Sequence, residues 1–492
     1  MLQITARELA ALTDGTLVGG ATGEELVTGT AQIDSRDVTP GDLFAAFRGE
    51  HVDGHDYLET ARAAGAALAL VTEDRGLPAV QVQDVQSALT ALAHAQLERA
   101  REENPGLVVL AVTGSAGKTG TKDLLGTILS THGPTVAPAG SFNNELGLPL
   151  TVLRLTSETR YLVLEMGARG IGHISELTAI ARPDIALVLN VGSAHIGEFG
   201  SVDAIAQAKG ELIEALAPSG RAILNAEDRL VAAMAERSAA PVVSWGFTTG
   251  DVRGADLTLD ERARVRFDLV VPEGMTTLRE EPIAAGRYAV HPDLIGEHQG
   301  ANVLAALTAA LAAGVAPAAA AESLEGATLA TGQRMQVLEA GGVLIIDDAY
   351  NANPDSMRQA LKTLAHLGRS HRTIAVLGEM LELGADSVRL HDEIGRLAVR
   401  LNIGQLYSIG AGAAPIHHGA SLEGSFGGES EFLDTVDEAV AVLERTVQPG
   451  DAVLLKSSRD AGLRQIAAPL VERLSRRGDQ IEVDQTKNGD DQ

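Results

Sequence analysis

Residues 108 to 129 constrain the fold more than any other stretch of the chain. Val108 to Val112 are all apolar and make a short buried strand. Thr113 and Gly114 break it, and Gly117, Lys118 and Thr119 open a helix whose apolar stripe is Leu124, Leu125, Ile128 and Leu129. Strand, glycine loop, Lys-Thr and helix is an arrangement that cradles phosphate. Glycines let backbone N–H groups approach the oxygens, and the helix N-terminus adds partial positive charge. Gly114, Ser115, Ala116 and Gly117 form the expected cradle, Lys118 would reach the outer phosphates, and Thr119 would place its hydroxyl on magnesium. The loop is a shorter variant of G-x-x-x-x-G-K-[ST], because Val112 stands where that pattern has its first glycine.

A chain of 492 residues is too long for one core, and three domains is the natural expectation. Lys+Arg number 39 against Asp+Glu 66, a net charge of −27, which argues against general nucleic-acid binding. It leaves room for an anionic small substrate, since a few basic groups and a metal reverse the field inside one cleft. With no cysteine, disulfides, thiolate nucleophiles and cysteine-ligated zinc are excluded. The first residues carry neither a basic segment nor a long apolar run, so no secretory signal is read there. Gly300 to Ala321 is uncharged and alanine-rich, but Val303, Leu307 and Leu311 form one stripe, as in a buried helix of a soluble protein rather than a membrane span. A cytoplasmic enzyme without membrane insertion is the expectation.

Residues 1–106 read as a first unit. Thr5 with Glu8 three residues on predicts a capped helix through Leu12, and helices are read over 61–67 and 89–101. Ser35 and Arg36 suit a phosphate or carboxylate, although a surface salt bridge is the plainer use of Arg36. Residues 107–330 alternate strand and helix and predict a parallel sheet, with an antiparallel edge over 245–290. Ligands of such sheets gather at the carboxyl ends of strands. There, Tyr161 to Leu164 ends in Glu165, and Ile185 to Leu189 ends in Asn190 to His195. Glu165 and Thr119 offer the hard oxygens that magnesium takes. His195 is either a ligand of a second metal or a structural loop histidine. Asn143 and Asn144 lie in a polar loop suited to reach a substrate. Lys209 sits in a helix with apolar neighbours, where a solvated lysine is the expectation from the residues alone.

Residues 331–475 read as a second α/β unit, with Arg334 at the join. Its strands end in Asp347 and Asp348, in Gly378 and Glu379, and in Lys456 to Arg459. Gly410 to Gly428 reads as a mobile loop and 476–492 as a disordered tail. The residues alone thus reach a magnesium-dependent, ATP-using enzyme that closes over its nucleotide.

The motif set resembles the Mur ligase family, the ATP-dependent amide-forming enzymes of peptidoglycan precursor synthesis. The resemblance runs from Ile4 to about Arg464. It rests on Thr113 to Thr119, the Glu165 loop, Asn190 to His195, Ala208 to Glu211, Gly296 with His298 and Asn302, Arg334, and Lys456 to Arg459. Within the family, Asp348 to Pro354, Ser141 to Glu145 and Gly378 to Gly384 are similar to the member that adds D-alanyl-D-alanine. The resemblance implies an α/β fold of three domains: a small mixed N-terminal domain, a central P-loop ATPase-type parallel sheet and a Rossmann-like C-terminal domain. They would bind the uridine diphosphate substrate (1–106), ATP (107–330) and the dipeptide with ATP (331–475).

It further implies that UDP-N-acetylmuramoyl-tripeptide is activated by ATP to an acyl phosphate, which the D-alanyl-D-alanine amine attacks. Carried over residue by residue, Thr119 and Glu165 would bind one magnesium ion. His195 would bind the second, with Lys209 as its carbamate. His298 and Asn302 would contact adenine, Arg334 and Asp348 the ribose or phosphates. Ser35 and Arg36 would lie near the uridine diphosphate, and Asn351, Asn353 and Ser356 near the peptide end or incoming dipeptide. A monomer is implied. Gln299, where the family often has asparagine, and Ser457, where it has glycine, depart from the pattern. A sister ligase adding a single amino acid, or an inactive nucleotide-binding scaffold, remain as alternatives.

Overall fold

The chain folds as a three-domain α/β protein, here as a computed structural model that describes residues 1–49, 51–138, 140–192, 196–424 and 428–476. At its start, Thr5 and Glu8 form the expected capping box on the helix Ala6–Leu12. The N-terminal sheet has five strands in the order Thr16–Val18, Ala79–Gln81, Leu68–Val71, Leu43–Ala45 and Ala31–Gln32, and only the first is antiparallel to its neighbour. The helix expected over 61–67 is Leu58–Ala64 instead. Gly65, at φ 106, takes the left-handed conformation that closes it, and the apolar run behind it becomes the strand Leu68–Val71. Asp84 caps the long helix Val85–Glu103, which starts earlier than the 89–101 reading because Val85 and Ala88 also pack into the core.

The central sheet has nine strands. Their order is Gly286–Val290, Val265–Val271, Val252–Leu259, Val242–Gly246, Arg221–Asn225, Ile185–Val188, Val108–Thr113, Tyr161–Glu165 and Thr135–Val136. Pairing is parallel from Val252–Leu259 through Thr135–Val136 and antiparallel among the first three strands, the edge expected over 245–290. Val108–Thr113 lies between Ile185–Val188 and Tyr161–Glu165, so the chain leaves it to one side and later returns to the other. That reversal opens a crevice at the strands' carboxyl ends, where the glycine loop sits. Beneath it lies the alanine-rich helix Glu297–Ala312. The single apolar stripe expected of it is too narrow: every residue from Asn302 to Ala312 is buried, because small side chains let it pack on both the glycine-loop helix Lys118–Ser130 and the sheet. Pro317 starts a separate helix, Pro317–Glu322.

The C-terminal sheet has six strands in the order Gln336–Ala340, Val343–Asp348, Asp451–Lys456, Arg372–Leu377, Gln405–Ile409 and Ser430–Leu433, all parallel except the first. The mobile loop expected over 410–428 is contradicted. Ala414–Glu423 is a helix, with Ile416 and Ala420 buried against the neighbouring helix Ser387–Arg400. Gly419 in this helix and Gly395 in its neighbour serve close approach. A Cβ on Gly419 would lie 2.2 Å from the Asp392 carbonyl oxygen, and one on Gly395 1.9 Å from that of Ile416. A last helix occupies 467–476, and the tail expected over 476–492 falls, from 477 on, outside the described residues. No helix among the described residues is long and apolar enough to cross a membrane.

Candidate active site

The glycine loop is held from two sides. Gly117, at φ 84, caps the helix Lys118–Ser130, and a Cβ there would lie 2.2 Å from Asn302 Oδ1, so position 117 admits only glycine. Asn190, just past the end of the neighbouring strand, accepts from Ala116 N at 2.9 Å and donates back to its carbonyl at 3.1 Å. Gly192 N donates to Ser115 Oγ at 2.9 Å. Lys118 curls over the loop and donates to the Gly114 carbonyl at 2.7 Å. Desolvation and the nearby Arg334 lower its pKa, against an opposing pull from Glu165. The result is an amide-lined concavity at a helix N-terminus with an ammonium at its mouth, suited to a polyphosphate.

Beside it lies a cluster of hard oxygens. Thr119 Oγ1 donates to Glu165 Oε2 at 2.8 Å and lies 2.8 Å from Ser141 Oγ. Asn143 Nδ2 donates to Glu165 Oε1 at 2.7 Å, and Arg334 Nη2 to Ser141 Oγ at 3.1 Å. Glu165 is 1% exposed, and its bonds to Thr119 and Asn143 come from neutral donors. A buried carboxylate flanked by hydroxyls fits the oxygen set of a magnesium ion. His195, expected beside it, lies outside the described residues.

Lys209 corrects the solvated-lysine expectation. It lies on the buried face of the helix Val202–Glu214, is only 4% exposed, and lines the same cleft. Burial, then the charge of Lys118, pushes its pKa well below the ordinary lysine value. Glu211, two residues further on, accepts from Gly172 N at 2.6 Å and Ser175 N at 3.0 Å. It thus satisfies backbone amides at the start of the helix His173–Ile180.

At the other end of the cleft, His298 Nδ1 is shut off from water and has no hydrogen-bond partner among the described residues, an orphan that a ligand's donor or acceptor would satisfy. Asn302 Nδ2 donates to Gln299 Oε1 at 2.9 Å, so Gln299 orients Asn302. Asp348 pairs with Lys456 at 2.5 Å and accepts from Met335 N at 3.1 Å. Arg334 stacks on the Tyr350 ring at 4.2 Å. Ser457, the other departure, is fully buried opposite Gly378, where a Cβ would lie 2.8 Å from that of Ser457. The extra side chain at 457 therefore fits because 378 has none.

Two groups here titrate in opposite senses. Desolvation pushes His298 down from 6.5 to about 4, and pushes buried Asp347 up from 3.8 to about 6. For His298 the unfolded chain takes the proton first, so stability is lost as pH falls from 6.5 towards 4. For Asp347 the folded chain takes it first, so acidification through 6 is favourable. His298→Gln should therefore lose about 1.4 kcal/mol less unfolding free energy than the parent chain between about pH 7.5 and 5.5. Urea titration at both pH values checks this, and parallel losses in the two proteins would contradict it.

One cleft thus collects Ser115, Ala116, Gly117, Lys118, Thr119, Glu165 and Lys209 with His298 and Asn302, and brings Arg334, Asp348 and Asn351 to face them. Asn143, Asn144, Asn353 and Ser356 line it too. Asn353 and Ser356 are already engaged with each other, however, as the reciprocal cap of the helix Pro354–Leu367. Ser35 and Arg36 lie away from the cleft, in the N-terminal domain. Ser35 is buried, and Arg36 is exposed and paired with Asp34 at 2.5 Å. The reading of the sequence missed Arg169 and His173, which line the cleft, and the buried pair Lys122 and Asp123. Spacing offered a clue to Lys122, which stands three residues after Thr119 and so shares its helix face.

Three family models cover most of the chain: the Mur ligase family catalytic domain over 30–112, the Mur ligase middle domain over 112–310, and the Mur ligase glutamate ligase domain over 333–459. The UDP-N-acetylmuramoyl-tripeptide--D-alanyl-D-alanine ligase of Mycobacterium tuberculosis is 43% identical, across 96% of this chain and 98% of that one. The Escherichia coli ligase of the same name is 32% identical, across 96% and 99%. Among solved structures, MurF from Acinetobacter baumannii superposes with a TM-score of 0.82 at 32% identity, covering 96% of this chain and 99% of that one. The MurF ligase from Thermotoga maritima in complex with ADP gives 0.73 at 28% identity, covering 92% and 99%. The chain belongs to the Mur ligase family.

Proposed function

We propose that this chain is an ATP-dependent ligase of peptidoglycan precursor synthesis that joins D-alanyl-D-alanine to UDP-N-acetylmuramoyl-tripeptide. The observation that carries the reading is the meeting, in one cleft, of Lys118, Thr119, Glu165 and Lys209 from the central domain with Arg334, Asp348 and Asn351 from the polypeptide beyond it. Relatives that share nearly the full length bear the same name, and a neighbouring structure holds ADP. The tripeptide's terminal carboxylate attacks the γ-phosphorus of ATP. A carboxyl C–O–P link forms, and ADP leaves with the electron pair of the broken β–γ bond. The uncharged amine of the dipeptide then adds to the acyl carbon, phosphate leaves, and the amine's proton passes to solvent.

The residues present fit those needs. Lys118 and the loop amides counter the charge of the transferring group. Thr119 and Glu165 would hold one magnesium ion, and His195 with Lys209 as its carbamate the second. Bound magnesium supplies Lewis-acid charge that no side chain here matches. His298 and Asn302 would meet adenine, and Arg334 and Asp348 the ribose or phosphates. Ser35 and Arg36 would lie near the uridine diphosphate in the domain over 1–106. Asn143 and Asn144 would face the acceptor peptide. Asn351 would face the dipeptide from the domain over 331–475, with Asn353 and Ser356 shaping that wall through their cap. A cytoplasmic monomer completes the reading.

Phosphate release tests it. With ATP, magnesium and UDP-N-acetylmuramoyl-tripeptide carrying diaminopimelate or lysine, release is expected only when D-alanyl-D-alanine is added. Turnover with a single amino acid and not the dipeptide would assign a sister ligase. No release with any acceptor and amine would favour an inactive scaffold.

A further inference from the structure

Lys122 and Asp123 stand one turn beyond Thr119 on the helix Lys118–Ser130, outside the cleft, and no role above uses them. Lys122 is fully buried, Asp123 is 7% exposed, and the two form an ion pair. A buried charge pair is poorly justified as a stabilising device alone, since apolar residues of similar size serve as well. The remaining bonds of this pair point elsewhere. Lys122 Nζ donates to the Pro138 carbonyl at 2.6 Å and to that of Gly140 at 3.4 Å, directly before Ser141. Asp123 Oδ2 accepts from Thr331 N at 2.9 Å, three residues before Arg334 and 208 residues along the chain. Ser141 and Arg334 are the two groups that meet at 3.1 Å over Thr119.

The contacts therefore close a ring. From the helix, Lys122 fixes the strap that carries Ser141, and Asp123 fixes the linker that carries Arg334. Arg334 spans from Ser141 to the Tyr350 ring. We infer that Lys122 and Asp123 are a positioning pair, setting Ser141 and Arg334 against the nucleotide site and tying the linker into the C-terminal domain to the glycine-loop helix. The inference rests on the nucleotide-binding part of the proposed function and is independent of which amine is added.

ADP affinity measured by calorimetry on the full chain tests it through a double-mutant cycle. Asp123→Ala is expected to weaken ADP binding about fivefold and Arg334→Ala about tenfold, and the double variant should bind no more weakly than Arg334→Ala alone. Asp123→Asn keeps an oxygen for Thr331 N and should stay within about threefold of the parent. Losses that multiply, or an unchanged affinity in Asp123→Ala, would overturn the inference, because a purely structural pair would not act through Arg334. If Asp123→Ala does not fold, Lys122→Met/Asp123→Leu leaves no buried charge and enters the same cycle with the same expected non-additivity. A parent chain that binds ADP but releases no phosphate in the assay above sinks the ligase reading and leaves this one standing. One that binds no ADP removes both.

Discussion

Lys118→Met is expected to lower kcat by about 10³-fold or more while weakening ADP binding by less than about tenfold. The asymmetry follows from where charge moves. In the ground state the phosphates are also held by the loop amides and the helix N-terminus, so losing one ammonium leaves most of the binding in place. As the γ-phosphoryl group transfers, charge spreads over its outer oxygens, the side of the cradle that Lys118 faces. The lysine already sits at the rim, with its ammonium on the Gly114 carbonyl at 2.7 Å, so little reorganisation is needed to meet the phosphate. Lys118→Arg should restore little, because a planar guanidinium does not fit the short span to Gly114 that the compact ammonium occupies. Phosphate release at saturating substrates, set beside ADP calorimetry, checks both halves. A variant within tenfold of the parent kcat would take Lys118 out of the phosphate's path.

Features written into short stretches were legible in the sequence. The capping box at Thr5 and Glu8, the strand from Val108 and the glycine-loop helix each depend on neighbours a few residues away, and each formed where expected, the strand running one residue further, through Thr113. Asking what ends each apolar strand found Glu165 and Asp348, because parallel strands present their last residues to a common rim. Features set by distant partners were not legible. The helix Ala414–Glu423 looked like a loop because the stretch 410–428 around it is rich in glycine and serine, which carry poor helix propensity, and the contact with Ser387–Arg400 that accounts for Gly419 is set by a distant partner. The helix Glu297–Ala312 looked one-sided because alanine is ambiguous in any hydrophobic pattern, yet the fold surrounds it. Lys209 read as a surface lysine, and Lys122 did not stand out at all. Their burial is created by strands and loops far along the chain, and a charged residue in an amphipathic helix gives no local sign of it.

Lys209→Ala is expected to lose about 10²-fold or more in turnover, and short carboxylic acids such as acetate or formate added to the assay should restore part of it. Lys209 is a buried lysine beside the cation Lys118, in the cleft proposed above to bind magnesium, which sets two unlike demands on one site. Burial and that neighbouring charge disfavour its protonated form, so the uncharged amine is more accessible here than in an ordinary lysine. An uncharged amine adds to carbon dioxide, forming an N–C bond and releasing one proton, and the product is a carboxylate able to hold a metal. A free carboxylic acid diffusing into the space left by Lys209→Ala would supply the same oxygens, while a chloride salt at equal ionic strength would not. Stability supplies a second reading of opposite sign. Because the folded chain binds fewer protons at this site than the unfolded chain, the lysine costs stability below its ordinary pKa, and the cost grows as pH falls. Lys209→Met should therefore unfold at a higher urea concentration than the carbon-dioxide-depleted parent, with the gap opening as pH falls below the ordinary lysine value of 10.5, while remaining as inactive as the alanine variant. Loss of activity with gain of stability separates a metal-holding role from a packing role. Full turnover by Lys209→Ala without any added acid would remove the carbamate from the mechanism.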